Sequence, residues 1–399
     1  MIDEVGTATW LDREARRLLD FPRAPFPPDG GVYWWDDDGA PRLDVPLHTW
    51  ITARTAYVYG LAHLARIQDT AARTVVALRG LAGPLRDPLN GGWVDSSSWE
   101  STDKTLYAHA SVLLATTTAL RSELPGARAL FDEALELIDR HFWDDRHGMS
   151  RDTMSRDWSA CSTYRGLNAN MHLVESLLAV PESESPGVRD RALGICRRVA
   201  GWASDNGWRL PEHFDADWTP LLDAGIDRPA DPFKPFGSTP GHGFEWSRLF
   251  VSAATEASST DREWLSEAAI ALYDRAARDG WARNGFPGFL YTVDWSGTPV
   301  VHQRLFWVAA EAVSAAEVLL QATGNSRYES DRVEWWRYIA DYLVDEERGS
   351  WKHELDARNR PANSIWAGKP DLYHAFHACL IPGLPLAPSV LTAVERAHG

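Results

Sequence analysis

NGGWVD, residues 90–95, sets a glycine pair before a tryptophan and closes on an acid, and the pattern returns along the whole chain. Its other copies are DGGVYWWDDDG (29–39), RHGMSRD (146–152), NGWRLPEHFD (206–215), NGFPGFLYTVD (284–294) and RGSWKHELD (348–356). The glycines at 31, 92, 148, 207, 285 and 349 lie 61, 56, 59, 78 and 64 residues apart. A glycine before an apolar pair reads as a tight turn opening a short β-like excursion. Recurrence at a nearly fixed period is the signature of a repeat architecture.

Helical periodicity fills the intervals. Residues 11–21, 50–67, 104–121, 129–143, 168–180, 188–203, 245–258, 264–281, 304–323, 333–347 and 371–384 place apolar side chains at i, i+3, i+4 and i+7. Alanine and leucine dominate them, as helix propensity favours. Roughly two helices per period over six periods predict an all-α fold, a single (α/α)6 barrel over 1–399. The excursions gather at the pocket end. A helical solenoid would show polar terminal caps, and none is evident. The Pro- and Gly-rich stretch TPLLDAGIDRPADPFKPFGSTPG (219–241) accounts for the one long interval and reads as a loop beside the pocket.

Composition narrows the function. Hydrophobic residues make up 44% of 399, enough for a large core. The net charge of −16 argues against a nucleic acid or an anionic membrane surface as partner. Lysine occurs only at Lys104, Lys234, Lys352 and Lys369, which leaves few candidates for Schiff-base chemistry. Cys161, Cys196 and Cys379 are too widely spaced for a disulfide framework or a zinc site. The acidic N-terminus has no signal-like apolar run, and no segment reaches membrane-spanning length, so a cytoplasmic protein is expected. Glycine-rich phosphate loops and a G-x-S-x-G elbow are missing, so no cofactor is expected. The twenty tryptophans serve as core filler or as platforms for sugar rings.

Four stretches concentrate titratable residues near turns and helix starts. YRGLNANMHLVES carries Asn168, His172 and Glu175; STPGHGFEWSRL carries His242 and Glu245. GSWKHELD carries His353 and Glu354, and WAGKPDLYHAFHACLIP carries Asp371, His374 and His377. Three acids stand three positions from a histidine: His172–Glu175, His242–Glu245 and Asp371–His374. A neighbouring carboxylate fixes an imidazole tautomer and raises its basicity. These residues alone leave a histidine–carboxylate metal site and a two-carboxylate glycosidase open beside histidine acid–base work. H-E-x-x-H and C-x-x-C are absent, so no metal is expected.

In these stretches the chain resembles the N-acylglucosamine 2-epimerase superfamily. The matching segments are WITAR (50–54), DKTLYAHA (103–110), NANMH (168–172), GHGFEW (241–246), RLFWVAAEA (304–312) and WKHELD through GKPDLYHA (351–375). The resemblance implies an (α/α)6 barrel and metal-free proton transfer by histidine. The epimerase branch carries Trp-x-Gln-x-Glu, whereas this chain reads Trp307-Val308-Ala309-Ala310-Glu311. Its WKHELD and GKPDLYHA segments are most similar to the mannose isomerases. Sulfoquinovose isomerases tend to have glutamine where Pro370 stands. The expected reaction is interconversion of D-mannose and D-fructose, with D-lyxose and D-xylulose as a related pair, through a cis-enediol. By the resemblance, His242 and His374 form the acid–base pair, with His172 and Glu245 in support. Arg54, Asn168 and His353 bind sugar hydroxyls, and Trp50, Tyr107 and Trp307 line the pocket. The expected partner is a monosaccharide. The same resemblance carries two alternatives, N-acyl-D-glucosamine 2-epimerase and sulfoquinovose isomerase.

Overall fold

The structure, a computed structural model, describes residues 4–22 and 26–398. Six helices form an inner ring: α2 (Thr49–Leu64), α4 (Leu106–Arg121), α6 (Leu167–Ala179), α8 (Pro240–Ala254), α10 (Phe306–Thr323) and α12 (Tyr373–Leu380). Each packs on the next, and α12 closes on α2. An outer layer backs them: α3 (Ala71–Ala82), α5 (Ala127–Leu137), α7 (Val188–Asp205), α9 (Ser259–Gly280) and α11 (Ser326–Tyr338), with α1 (Ala8–Leu19) behind α12. The last helix, α13 (Val390–His398), contacts both α2 and α6.

Burial explains which helices go inside. α2 is buried on every face from Thr49 to Ala62, so it has no polar side to offer water. α1 buries only Trp10, Leu11, Glu14, Ala15, Leu18 and Leu19, the stripe of a one-sided surface helix. Among the described residues no helix is long and apolar enough to cross a membrane.

All six repeat glycines have positive φ, between 58° at Gly148 and 96° at Gly31. Each excursion joins an outer helix to the next inner one, so all six emerge at the N-terminal end of the ring. Four of them carry short antiparallel strand pairs, such as Arg165–Gly166 with His213–Phe214, and the first two carry single bridges, Trp35 with Pro41 and Arg86 with Trp93. The recurring acid caps a hairpin in four of them. The Asp36 carboxylate accepts from the backbone N–H of Asp38 and Ala40 at 2.9 and 2.8 Å. Asp215, Asp294 and Asp356 repeat this with the residues two and four positions on.

Two helices escape the periodicity reading, α3 (AARTVVALRGLA) and α13. In α3 a Thr-Val-Val run and Gly80 both lower helix propensity. Gly80 is there for contact. A Cβ on it would lie 2.3 Å from the Gly31 backbone, so the first excursion and α3 touch main chain to main chain.

Candidate active site

A pocket of about 650 Å3 opens at the N-terminal ends of the inner helices. Each inner helix supplies residues from its first turns: Trp50 and Arg54, Tyr107, Asn168 and His172, His242 and Glu245, Phe306 and Trp307, and His374. The loop predicted beside the pocket reaches it through Pro232, Phe233 and Pro235. His353, Trp366, Pro370 and Asp371 complete the wall. All ten residues to which the resemblance gives a role therefore line one pocket, whereas Glu175, Glu354 and His377 lie outside its lining.

His242 lies in the first turn of α8, where Pro240 and Gly241 begin the helix rather than preceding it. Its Nδ1 is 2.9 Å from Oε1 of Glu212, in the fourth excursion. His374 is built the same way, with Nδ1 2.8 Å from Oε1 of Glu311 on α10. A carboxylate only accepts, so each Nδ1 carries the proton and each Nε2 is left for other work. The Trp307 indole lies beside both imidazoles, at centroid distances of 5.2 Å from His242 and 5.7 Å from His374. Gly241 makes room for that indole, since a Cβ there would meet its ring at 2.3 Å.

Beneath the histidines lies a buried charge network. Arg248 donates through Nε to Glu311 at 2.9 Å and through Nη2 to Glu175 at 3.3 Å. Glu175 also accepts from the Tyr373 hydroxyl. Glu245 has an oxygen with no hydrogen-bond partner, 3.8 Å from His172 Nδ1 and 3.9 Å from Arg248. Burial, reinforced by Glu311, pushes its carboxyl well above the usual range. Burial also lowers His374 below an ordinary histidine, against the opposing pull of Glu311.

Arg54 is fixed on several sides. It donates to Asp371 at 2.7 Å and meets His172 Nε2 at 3.1 Å. The rings of Trp50, Tyr107 and Tyr373 surround its guanidinium at 5.4, 5.5 and 4.6 Å. A guanidinium has no acceptor, so His172 Nε2 accepts and its proton sits on Nδ1. Burial takes His172 down to about 4, which keeps it neutral. Its lone pair thus serves Arg54. Asn168 Oδ1 and His353 Nε2 are buried with no hydrogen-bond partner among the described residues, while His353 stacks on Phe306 at 4.0 Å. Unused polar capacity in a pocket wall suits ligand hydroxyls.

The acid partners differ from those suggested by spacing. His242 pairs with Glu212 rather than Glu245, and His374 with Glu311 rather than Asp371. Asp371 instead holds Arg54 and accepts from the Tyr373 N–H. His172 and Glu175 approach to 3.7 Å, outside hydrogen-bond distance. Residues on adjacent turns of one helix project in parallel, whereas partners from neighbouring elements point at each other. Spacing therefore missed Glu212, Arg248 and the role of Glu311. The signal for Glu212 was the acid of NGWRLPEHFD.

The family model described as N-acylglucosamine 2-epimerase (GlcNAc 2-epimerase) matches residues 30–378. The chain is 45% identical over 393 residues to a D-mannose isomerase of Thermobifida fusca, covering 96% of each protein. It is 41% identical over 392 residues to a D-mannose isomerase of Pseudomonas cannabina pv. alisalensis, covering 96% of this chain and 94% of that one. A crystal structure of a D-mannose isomerase superposes with a TM-score of 0.86 at 27% identity, covering 94% of this chain and 97% of that one.

Proposed function

The chain belongs to the N-acylglucosamine 2-epimerase family, and from that premise we propose that it is an aldose–ketose isomerase that interconverts D-mannose and D-fructose. The observation that carries the mechanism is the pair of His–Glu dyads beside Trp307.

The substrate reacts as its open-chain aldehyde, whose carbonyl acidifies the C2–H bond. His374, neutral through burial, takes the C2 proton at Nε2, and the C–H electron pair becomes the C1=C2 bond of a cis-enediol. Returning that proton to C1 gives the ketose, and C1 and C2 present the same face to one imidazole. His242 takes the proton that O2 loses and delivers it to O1. Arg54, held rigid by Asp371 and three rings, stabilises the charge that develops on oxygen. Asn168 and His353 bind hydroxyls. His172 positions Arg54, and Glu245, its carboxyl pushed up by burial, fills the space between His172 and Arg248.

A neutral sugar fits this pocket better than a sulfonated one. Arg54 is the one cationic side chain among the described residues lining it, and Asp371 already neutralises it. The reading is metal-independent. Two groups could converge on an ion, His172 with Glu175 and Glu245, and Glu245 with Glu311 and His374. Arg248 already supplies the positive charge to Glu175 and Glu311, so a metal would have to displace it. Three free cysteines accord with a reducing, cytoplasmic setting.

The test is NMR in D2O with D-mannose. Fructose carrying the former C2 hydrogen at C1 is expected, whereas a C2-epimeric aldose would convert the reading to epimerase. His374→Ala and His242→Ala should each lower turnover on the order of 10²-fold or more with the fold intact. Near-native turnover in both would remove the acid–base assignment. Exhaustive chelation should leave activity unchanged; loss rescued by one divalent ion would defeat metal independence.

A further inference from the structure

The catalytic pocket shares a wall with a second cavity. It lies on the other side of Trp50, Tyr107, Asn168 and Phe233, which line both. The far side of this cavity carries Asp95, Asp152, Thr105 and Tyr164, with Lys234 at its rim. Thr105 donates to Asp95 at 2.8 Å, and the Lys234 ammonium lies 4.0 Å above the Tyr164 ring. Asp95 and Asp152 present carboxyl oxygens as acceptors, and burial raises both groups above the usual carboxylate range. Aromatic faces beside carboxyls and hydroxyls suit a second sugar ring.

The partition has three members on inner helices, Trp50, Tyr107 and Asn168, and one that comes from a loop. Phe233 reaches in from the 219–241 loop, with its ring 6.1 Å from Trp50, 6.0 Å from Tyr107 and 5.4 Å from Trp366. It is nevertheless 42% exposed. The backbone around it is held without the ring. His213 Nε2 is 2.8 Å from the Pro235 carbonyl, and the Tyr291 hydroxyl donates to the Pro232 carbonyl at 3.2 Å. The Asp231 carboxylate accepts from the N–H groups of Phe233 and Lys234 at 3.0 and 2.9 Å. Truncating the Phe233 side chain therefore opens the partition while leaving the loop anchored.

We propose that Phe233 is a specificity-determining residue that restricts the reaction to a free monosaccharide, by closing the catalytic pocket off from a second sugar subsite bounded by Asp95 and Asp152. This rests on the isomerase reading above. The experiment compares D-mannose with mannose bearing a second mannose at O4 or at O6. In Phe233→Ala the ratio of kcat/KM for one of the disaccharides to that for mannose should rise at least ten-fold over wild type. Adding Asp95→Asn and Asp152→Asn should cancel the gain, while these two changes in the wild-type background leave mannose turnover intact. An unchanged ratio in Phe233→Ala overturns the proposal. So does a wild-type protein that turns over either disaccharide as well as mannose. If Phe233→Ala loses all turnover, Phe233→Leu is used and the same ratio is read as affinity from quenching of tryptophan fluorescence. A wild type that makes no ketose from mannose defeats the isomerase reading instead, and the affinity ratio still decides the role of Phe233.

Discussion

At the scale of the residue, the two histidines proposed to move protons share one design with different electrostatic surroundings. Glu311 divides its charge between His374 and Arg248, whereas among the described residues no lysine or arginine lies within ion-pair reach of Glu212. His374 is lowered by burial and partly restored by Glu311. Its neutral, base-competent form therefore extends below pH 6.5, and the acid limb of kcat/KM should fall there. Replacing Glu311 by glutamine removes the anion that favours the imidazolium. The acid limb should move to still lower pH, and kcat should drop at least ten-fold through loss of the fixed tautomer. An acid limb that stays in place would show that Glu311 does not act through His374. The residue types at these positions were legible in the sequence. Their partners were not, because an acid three positions away on a helix was a weaker guide than one delivered by the next element.

At the scale of the element, the first turn of α8 does two jobs. Pro240 starts the helix, and Gly241 leaves room for Trp307 between the histidines. Gly241→Ala should displace the indole, because the added Cβ meets a ring that is itself wedged against two imidazoles. We expect kcat to fall more than ten-fold, with overpacking lowering stability by about 1–3 kcal/mol. Kinetics and thermal unfolding on the same preparation check both, and unchanged kcat would mean that the indole position is not critical. The excursions were readable as elements because their glycines are forced to positive φ, which leaves a visible mark in sequence. Helix α3 was not, since its composition answers to the contact of Gly80 with Gly31 rather than to helix propensity.

At the scale of the molecule, an interior closed on all sides holds histidines neutral. Burial brings His109, His353 and His377 down to about 3, and His172 to about 4. Unfolded, each titrates near 6.5, so between that pH and its folded value the unfolded chain binds more protons. Stability is then lost as pH falls below 6.5, by up to about 1.4 kcal/mol per pH unit for each histidine. The raised carboxyls of Glu245, Asp95 and Asp152 act in the opposite sense but are fewer. Denaturant unfolding at pH 7 and pH 5 should give a clearly lower stability at pH 5. A flat profile would mean that these imidazoles are charged in the folded state.

The sequence by itself determined the ring. Six turn glycines at a nearly regular interval, with helical apolar periodicity between them, leave few ways to bury that much apolar surface. The family resemblance named which residues meet at the mouth, and the structure sets most of them on the first turns of the inner helices. Only the tertiary structure decided who holds whom. The pairing of His242 with Glu212, of His374 with Glu311, and of Arg248 between two glutamates depends on distances across elements. The position of Phe233 between two cavities is of the same kind. Periodicity records which face of a helix turns inward; it does not record which side chain on the facing element is close enough to bond.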